Sequence, residues 1–185
     1  MKTAPWAPGR AAAGMLALAL AIAGCAQLGL PGSALSPGSA LSTPIAPSEV
    51  EWARKTGANT VAGLASLKAG STTHTCAGQS ANLIPDTAYA RARMTAIFGN
   101  DTKGMRAASL GPVKFERDDP LYVSSLRTTR CDASGSFAFP RVPDGIWFAT
   151  TSVKWGDSQG AAAGGGSMMQ RLDVRGGRLV KVTLP

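Results

Sequence analysis

Histidine occurs once in this 185-residue chain, at position 74, and tyrosine only twice. Aspartate and glutamate together number 11, so carboxylate pairs for acid–base chemistry are scarce. One histidine excludes an H-E-x-x-H zinc site, and the three cysteines lie too far apart for a C-x-x-C pair. Asp118-Asp119 precedes Pro120 and suits a turn better than a Ca²⁺ site. The glycines of 160–166 come without the Lys and Ser/Thr of a phosphate loop, so that stretch reads as a mobile connection. No catalytic residue, metal or cofactor is therefore expected. One enzymatic alternative stays open, a hydrolase with its site near His74.

Long apolar runs are lacking as well. Residues 11–23 are apolar for 13 positions, AAAGMLALALAIA. As a helix such a run covers about 20 Å, short of the roughly 30 Å hydrocarbon core of a bilayer. Lys2 and Arg10 precede it, which makes residues 1–24 a secretory signal rather than a permanent span. The run ends in Ile22-Ala-Gly-Cys25, which resembles the lipobox of bacterial lipoproteins. That resemblance implies cleavage before Cys25, a diacylglycerol on its thiol and an acyl chain such as palmitate on its amine. Ala26 stands where Asp retains many lipoproteins at the inner membrane, so the resemblance implies the outer membrane. Two or three acyl chains anchor far more firmly than one, without spanning.

Lys and Arg number 19, for a formal net charge of +8. Loss of Lys2 and Arg10 with the leader leaves 17 basic against 11 acidic residues, or +6. Arg91, Arg93, Lys103, Arg106, Lys114 and Arg117 concentrate this charge in the middle of the chain. Nucleic acid is not expected as a partner at an outer membrane; an anionic envelope glycan or an envelope protein fits, and a merely solvated basic face is the default alternative.

Residues 25–48 carry the lipidation cysteine and a Pro/Ser/Gly-rich tether. Pro31-Gly-Ser-Ala-Leu-Ser36 is repeated without change as Pro37-Gly-Ser-Ala-Leu-Ser42. Repeated Pro, Gly and Ser oppose helix and strand alike, so a disordered spacer with an r.m.s. span of about 25 Å is expected. Residues 49–58 form a short helical lead-in, with Ser48 and Glu51 at capping-box spacing and Trp52 free to dock on the domain after it.

From residue 59 to 185 short alternating runs are separated by turn residues, the pattern of an all-β sandwich. Strands are expected at 60–68, 72–76, 81–84, 121–131, 136–139, 146–155, 168–174 and 179–184, with an extended piece near 113–115. Asp86 is placed to cap a helix reaching Phe98, with Gly99 at its end and Ala90, Met94, Ile97 and Phe98 on one side. Asp132-Ala-Ser-Gly135 and Pro143-Asp-Gly145 read as turns, and Arg175-Gly-Gly-Arg178 as a hairpin. The fold class is mainly β: about seven antiparallel strands in a sandwich with a short inserted helix.

Asp132-Ala-Ser-Gly-Ser-Phe-Ala-Phe139, followed by Val142-Pro-Asp-Gly-Ile-Trp-Phe148, resembles the carboxypeptidase regulatory-like (transthyretin- or prealbumin-like) sandwich. Thr60-Val-Ala-Gly63 is similar to that family's opening strand, and Cys76-Ala-Gly-Gln with Leu83-Ile-Pro85 to its second. The resemblance covers residues 59–185 and implies an accessory or binding module more than an activity. Related hydroxyisourate hydrolases carry several active-site His and Arg residues and a Tyr-Arg-Gly-Ser ending. Val182-Thr-Leu-Pro185 departs from that.

With Cys25 lipidated, Cys76 and Cys131 remain as an even pair in an oxidising compartment, where a structural disulfide is expected. Trp147 and Trp155 share a strand face by parity and are the candidate aromatic platform for a glycan, core packing being the competing use. A purely structural envelope spacer is the remaining reading.

Overall fold

The computed structural model describes residues 37–156 and 164–185. The leader (1–24), Cys25, the first half of the expected tether and residues 157–163 lie outside the described residues.

Strand β7 (Gly145–Trp155) organises the fold because both of its faces are apolar. Trp147, Ala149, Thr151 and Val153 are buried on one face, while Phe148 is buried on the other. Each apolar face of a sheet needs a covering layer, so this strand dictates one layer on either side. It lies at the middle of a five-stranded sheet in the order β4-β8-β7-β3-β5, every neighbour antiparallel. The other members are β3 (Ser80–Pro85), β4 (Lys103–Ala107), β5 (Arg127–Arg130) and β8 (Gly164–Val174).

The inner layer is a four-stranded sheet built around β1 (Asn59–Ala69). β2 (Thr72–Thr75) and β6 (Ser136–Val142) pair with it antiparallel, and β9 (Leu179–Leu184) pairs parallel. Val61, Ala65, Phe137, Phe139 and Val182 from this sheet meet Leu83, Trp147, Val153 and Met168 from the other. The result is the expected β-sandwich, with nine strands among the described residues.

On the far side of β7, Phe148, Ile84 and Met169 pack under Tyr89, Ala90 and Met94 of helix α3 (Ala88–Phe98). Burying one such aromatic or Met side chain is worth about 1.5–3 kcal/mol. Thr87 caps α3, its hydroxyl accepting the Ala90 amide at 3.0 Å, and Gly99 ends it at φ 80°. Asp86, the expected cap, is one residue too early. Its carboxylate pairs instead with Arg91 at 3.0 Å and with Arg171 across the sheet.

Several expectations are corrected. Residues 37–48 are not free spacer. Pro37–Ser42 form a turn and a half of helix (α1), and Ala40 and Ile45 are buried, Ile45 in the outer cluster with Val50. A short apolar triplet can order a Pro/Ser-rich segment when a neighbouring hydrophobic face is ready to receive it. Helix α2 (Pro47–Val50) and a 3₁₀ turn (Glu51–Arg54) follow, but the capping pair is Ala46 and Glu49, whose carboxylate accepts the Ala46 amide at 2.9 Å.

The strand expected over 121–131 is split into helix α4 (Pro120–Ser124) and β5. Asp119 accepts the Leu121 and Tyr122 amides and Pro120 sits at the first turn, a start signal stronger than the Thr/Ser content downstream. The extended piece lies at 103–107 and not at 113–115.

Arg175 to Arg178 is not a hairpin. Its chain crosses from β8 in one sheet to β9 in the other. Buried Asn59 fixes this crossing, its Oδ1 accepting the Arg178 amide at 3.0 Å and its Nδ2 donating to Val142 O at 2.9 Å and Asp144 Oδ1 at 2.8 Å. Alternation in β9 revealed which side chains face inward, but alternation is blind to which sheet receives the strand.

Candidate ligand-binding site

The two tryptophans proposed as a platform are not brought together. Trp147 is wholly buried, its Nε1 donating to Pro143 O at 3.4 Å, and Trp52 packs edge-on against it with centroids 5.0 Å apart. A ring with no exposed face offers a sugar nothing, so Trp147 is a core residue. Trp52 docks as its position in the lead-in suggested, and Gly145 makes room: a Cβ there would collide with the Trp52 ring. Trp155, eight residues along β7, is partly buried and stacks on His74 at 4.4 Å, and its cross-strand neighbour Gly164 lies against the same ring.

That stack accounts for His74. Among the described residues no carboxylate or hydroxyl is hydrogen-bonded to its imidazole, and no cluster of three metal-ligating side chains occurs. Gly156-Asp-Ser-Gln-Gly160 has G-x-S-x-G spacing. Residues 157–160 of it lie outside the described residues. Gly164, Gly165 and Gly166, expected in a loop, begin β8.

Cys76 and Cys131 form the expected disulfide, with Cα atoms 5.7 Å apart and both residues buried. It follows β2 of one sheet and β5 of the other, and so staples the sandwich across its core. Closing a loop of this length stabilises by about 4 kcal/mol on the chain-entropy model. Cys25 lies outside the described residues.

The basic middle region of the chain borders a concavity of its own. A cleft of about 830 Å³ runs between residues 38–44 on one side and residues 114–120 on the other, with Tyr89 of α3 in its lining. The second wall is an irregular stretch held to α3 by two side chains one helical turn apart. Tyr89 Oη donates to Arg117 O at 3.3 Å and accepts the Asp119 amide at 3.1 Å. The Arg93 guanidinium stacks 3.8 Å from the Phe115 centroid and 4.8 Å from that of Tyr122, and pairs with Asp118. Burial opposes the Arg93 charge, but the Tyr89 bond and the nearby Tyr122 and Asp118 outweigh it and hold the guanidinium above its ordinary value. Burial likewise pushes the Tyr122 hydroxyl up. The sequence signals were the basic cluster itself and the i, i+4 spacing of Tyr89 and Arg93, but nothing in the sequence marks residues 38–44 as the facing wall.

A second depression, about 550 Å³ and more open, lies over the sheet of β1, β6 and β9, with Ala62, Leu64, Ala138, Lys181 and Thr183 in its lining and Arg130 and Asp132 beside it. Asp132 Oδ1 accepts from the Ser134 amide at 2.8 Å, the Ser134 hydroxyl at 2.6 Å and the Ser136 amide at 2.9 Å. The Ser134 hydroxyl first, then the Ser136 amide, hold its carboxyl below the usual carboxylate range. Its Oδ1 serves the turn.

No family model matches the chain, and no curated protein matches it. Among solved structures it is similar to a candidate carbohydrate-binding protein of Pseudomonas aeruginosa, at 22% identity and a TM-score of 0.63, over 77% of this chain and 97% of that one. A minor pilin of Streptococcus agalactiae overlaps less well, at 17% identity and a TM-score of 0.32, over 71% of this chain and 43% of the pilin. The first likeness establishes a shared β-rich sandwich, nearly complete on the neighbour's side.

Proposed function

We propose that this chain is a lipid-anchored lipoprotein of the bacterial outer membrane whose sandwich is a non-catalytic, glycan-binding module. The observation that carries the binding reading is the near-complete overlap with a neighbour described as a candidate carbohydrate-binding protein. The polar, aromatic-lined cleft beside Tyr89 and Phe115 supplies a concavity of the size small ligands occupy, about 300–1,000 Å³. His74, on which the hydrolase alternative was placed, stacks on Trp155, a packing role for the ring. Lys2, Arg10, the apolar run and the Ile22-Ala-Gly-Cys25 box support export and lipidation.

Two measurements test this reading. The intact mass of protein extracted from membranes by detergent is expected to begin at residue 25 and to carry acyl groups. A mass beginning elsewhere, or without lipid, refutes the anchor. Retention on a panel of immobilised neutral and acidic polysaccharides is expected to show at least one saturable binder. Retention on none refutes the glycan module and favours an envelope protein as partner.

A further inference from the structure

We infer that the cleft between residues 38–44 and 114–120 is the glycan site, and that it takes an acidic sugar, one carrying a carboxylate on a pyranose ring. The inference rests on the proposed glycan-binding function and adds the place and the chemical class.

The charges around the cleft are unevenly committed. Asp118 is paired with Arg93. Asp119 is satisfied by three amides, with Leu121 at 2.7 Å and Tyr122 at 3.3 Å on Oδ1 and Ile45 at 3.0 Å on Oδ2. Neither carboxylate has its oxygens free to contact a ligand. The exposed charged side chains remaining in the lining are Lys114, Glu116 and Arg117, and none of them has an ion-pair partner among the described residues. Asp119 balances the formal charge of the lining, but its oxygens are taken up by amides. Of the charged groups free to meet a ligand, two are cations and one is a carboxylate, which favours an anionic ligand. A guanidinium matches a carboxylate with two parallel N–H donors, and an ammonium adds a point charge. Glu116 is then an acceptor for ring hydroxyls.

Phe115 supplies the apolar contact. Its ring lies in the cleft lining, backed by the Arg93 guanidinium. Arg93 is itself held by Tyr89 and Asp118, so the ring is fixed before a ligand arrives. Aromatic contact with a sugar face loses little entropy when the ring is already immobile. Residues 115, 117, 118 and 119 are each tied to α3, which places an irregular segment on a rigid support, the usual arrangement of a binding loop.

Affinity electrophoresis of the full chain in detergent tests this, with gels containing polygalacturonate or neutral dextran at constant salt. The expected result is retardation by polygalacturonate alone, weakened about tenfold by Lys114→Ala/Arg117→Ala and by Phe115→Ala, which leaves the charge unchanged. Lys103→Ala/Lys181→Ala removes the same charge outside the cleft lining and is expected to bind as the parent does. The two pairs of basic residues are exposed, so their variants keep the parent's melting temperature and remain informative if Phe115→Ala unfolds. Equal weakening by both double variants means attraction of a basic protein to a polyanion, and overturns the site. Retardation by dextran but not polygalacturonate overturns the acidic class while leaving glycan binding intact. Retardation by neither overturns this inference, and the polysaccharide panel then decides the glycan reading separately.

Discussion

Asp119 joins two segments that are distant in sequence: its Oδ2 accepts the Ile45 amide at 3.0 Å while its Oδ1 caps α4 through Leu121 at 2.7 Å. One side chain therefore secures both walls of the cleft, the segment 38–45 and the start of α4. Asp119→Ala removes a helix cap, at a cost of about 1–2 kcal/mol, and releases Ile45. Asp119→Asn separates the two roles, because its single carbonyl oxygen serves the α4 amides and its amide nitrogen cannot accept from Ile45. Hydrogen exchange is expected to show a faster Ile45 amide in both variants, with the melting temperature falling appreciably only in the alanine. An unchanged Ile45 amide in both would show that the buried Ile45 side chain holds the segment without Asp119.

Much of the sandwich was legible because period-two alternation survives in β1, β7 and β9, and because Gly99 and Gly135 stand where positive φ is required, at 80° and 82°. What alternation could not convey was long-range pairing. β9 reads the same whether it closes a hairpin with β8 or crosses to lie parallel to β1, and the contacts that hold the crossing, the buried Asn59 among them, come from distant residues. Residues 37–48 misled for a different reason. Their composition is that of a spacer, and their order depends on Ile45 finding the face left by Phe148 and α3. The candidate platform failed on depth: parity put Trp147 and Trp155 on one face correctly, but that face is the inner one. The cleft was invisible for a related reason, since its two walls are about seventy residues apart and meet only through packing.

Gly145 and Trp52 offer a test of how firmly the lead-in is docked. A methyl group at position 145 would overlap the Trp52 ring, which in turn packs on Trp147. Gly145→Ala is therefore expected to displace Trp52 and cost about 1–3 kcal/mol, with tryptophan emission shifting to the red. In the Trp52→Ala background the same substitution has less to collide with, so its additional cost is expected to shrink. Strict additivity of the two changes would mean that backbone geometry at 145, and not the ring, makes glycine necessary.

Asp132 predicts a pH dependence whose sign follows from its bonds. The Ser134 hydroxyl and the Ser136 amide favour the charged carboxylate in the folded protein and hold its pKa below the unfolded value. Below the unfolded value, about 3.9, the unfolded chain takes up the proton more readily than the folded one. The contribution is thus fully present above that pH and is lost as pH falls through the folded pKa. Asp132→Asn keeps an acceptor oxygen for the turn but cannot titrate. Melting temperatures of both proteins, measured from about pH 2 to pH 6, are expected to run parallel above pH 4 or so and to converge below it, as the parent loses an advantage the variant never had. Other carboxylates titrate equally in both chains, so the difference between the curves belongs to Asp132. Curves that stay parallel throughout would mean that the turn binds carboxylate and carboxylic acid alike, and that Gly135, at φ 82°, fixes the geometry without help from the charge.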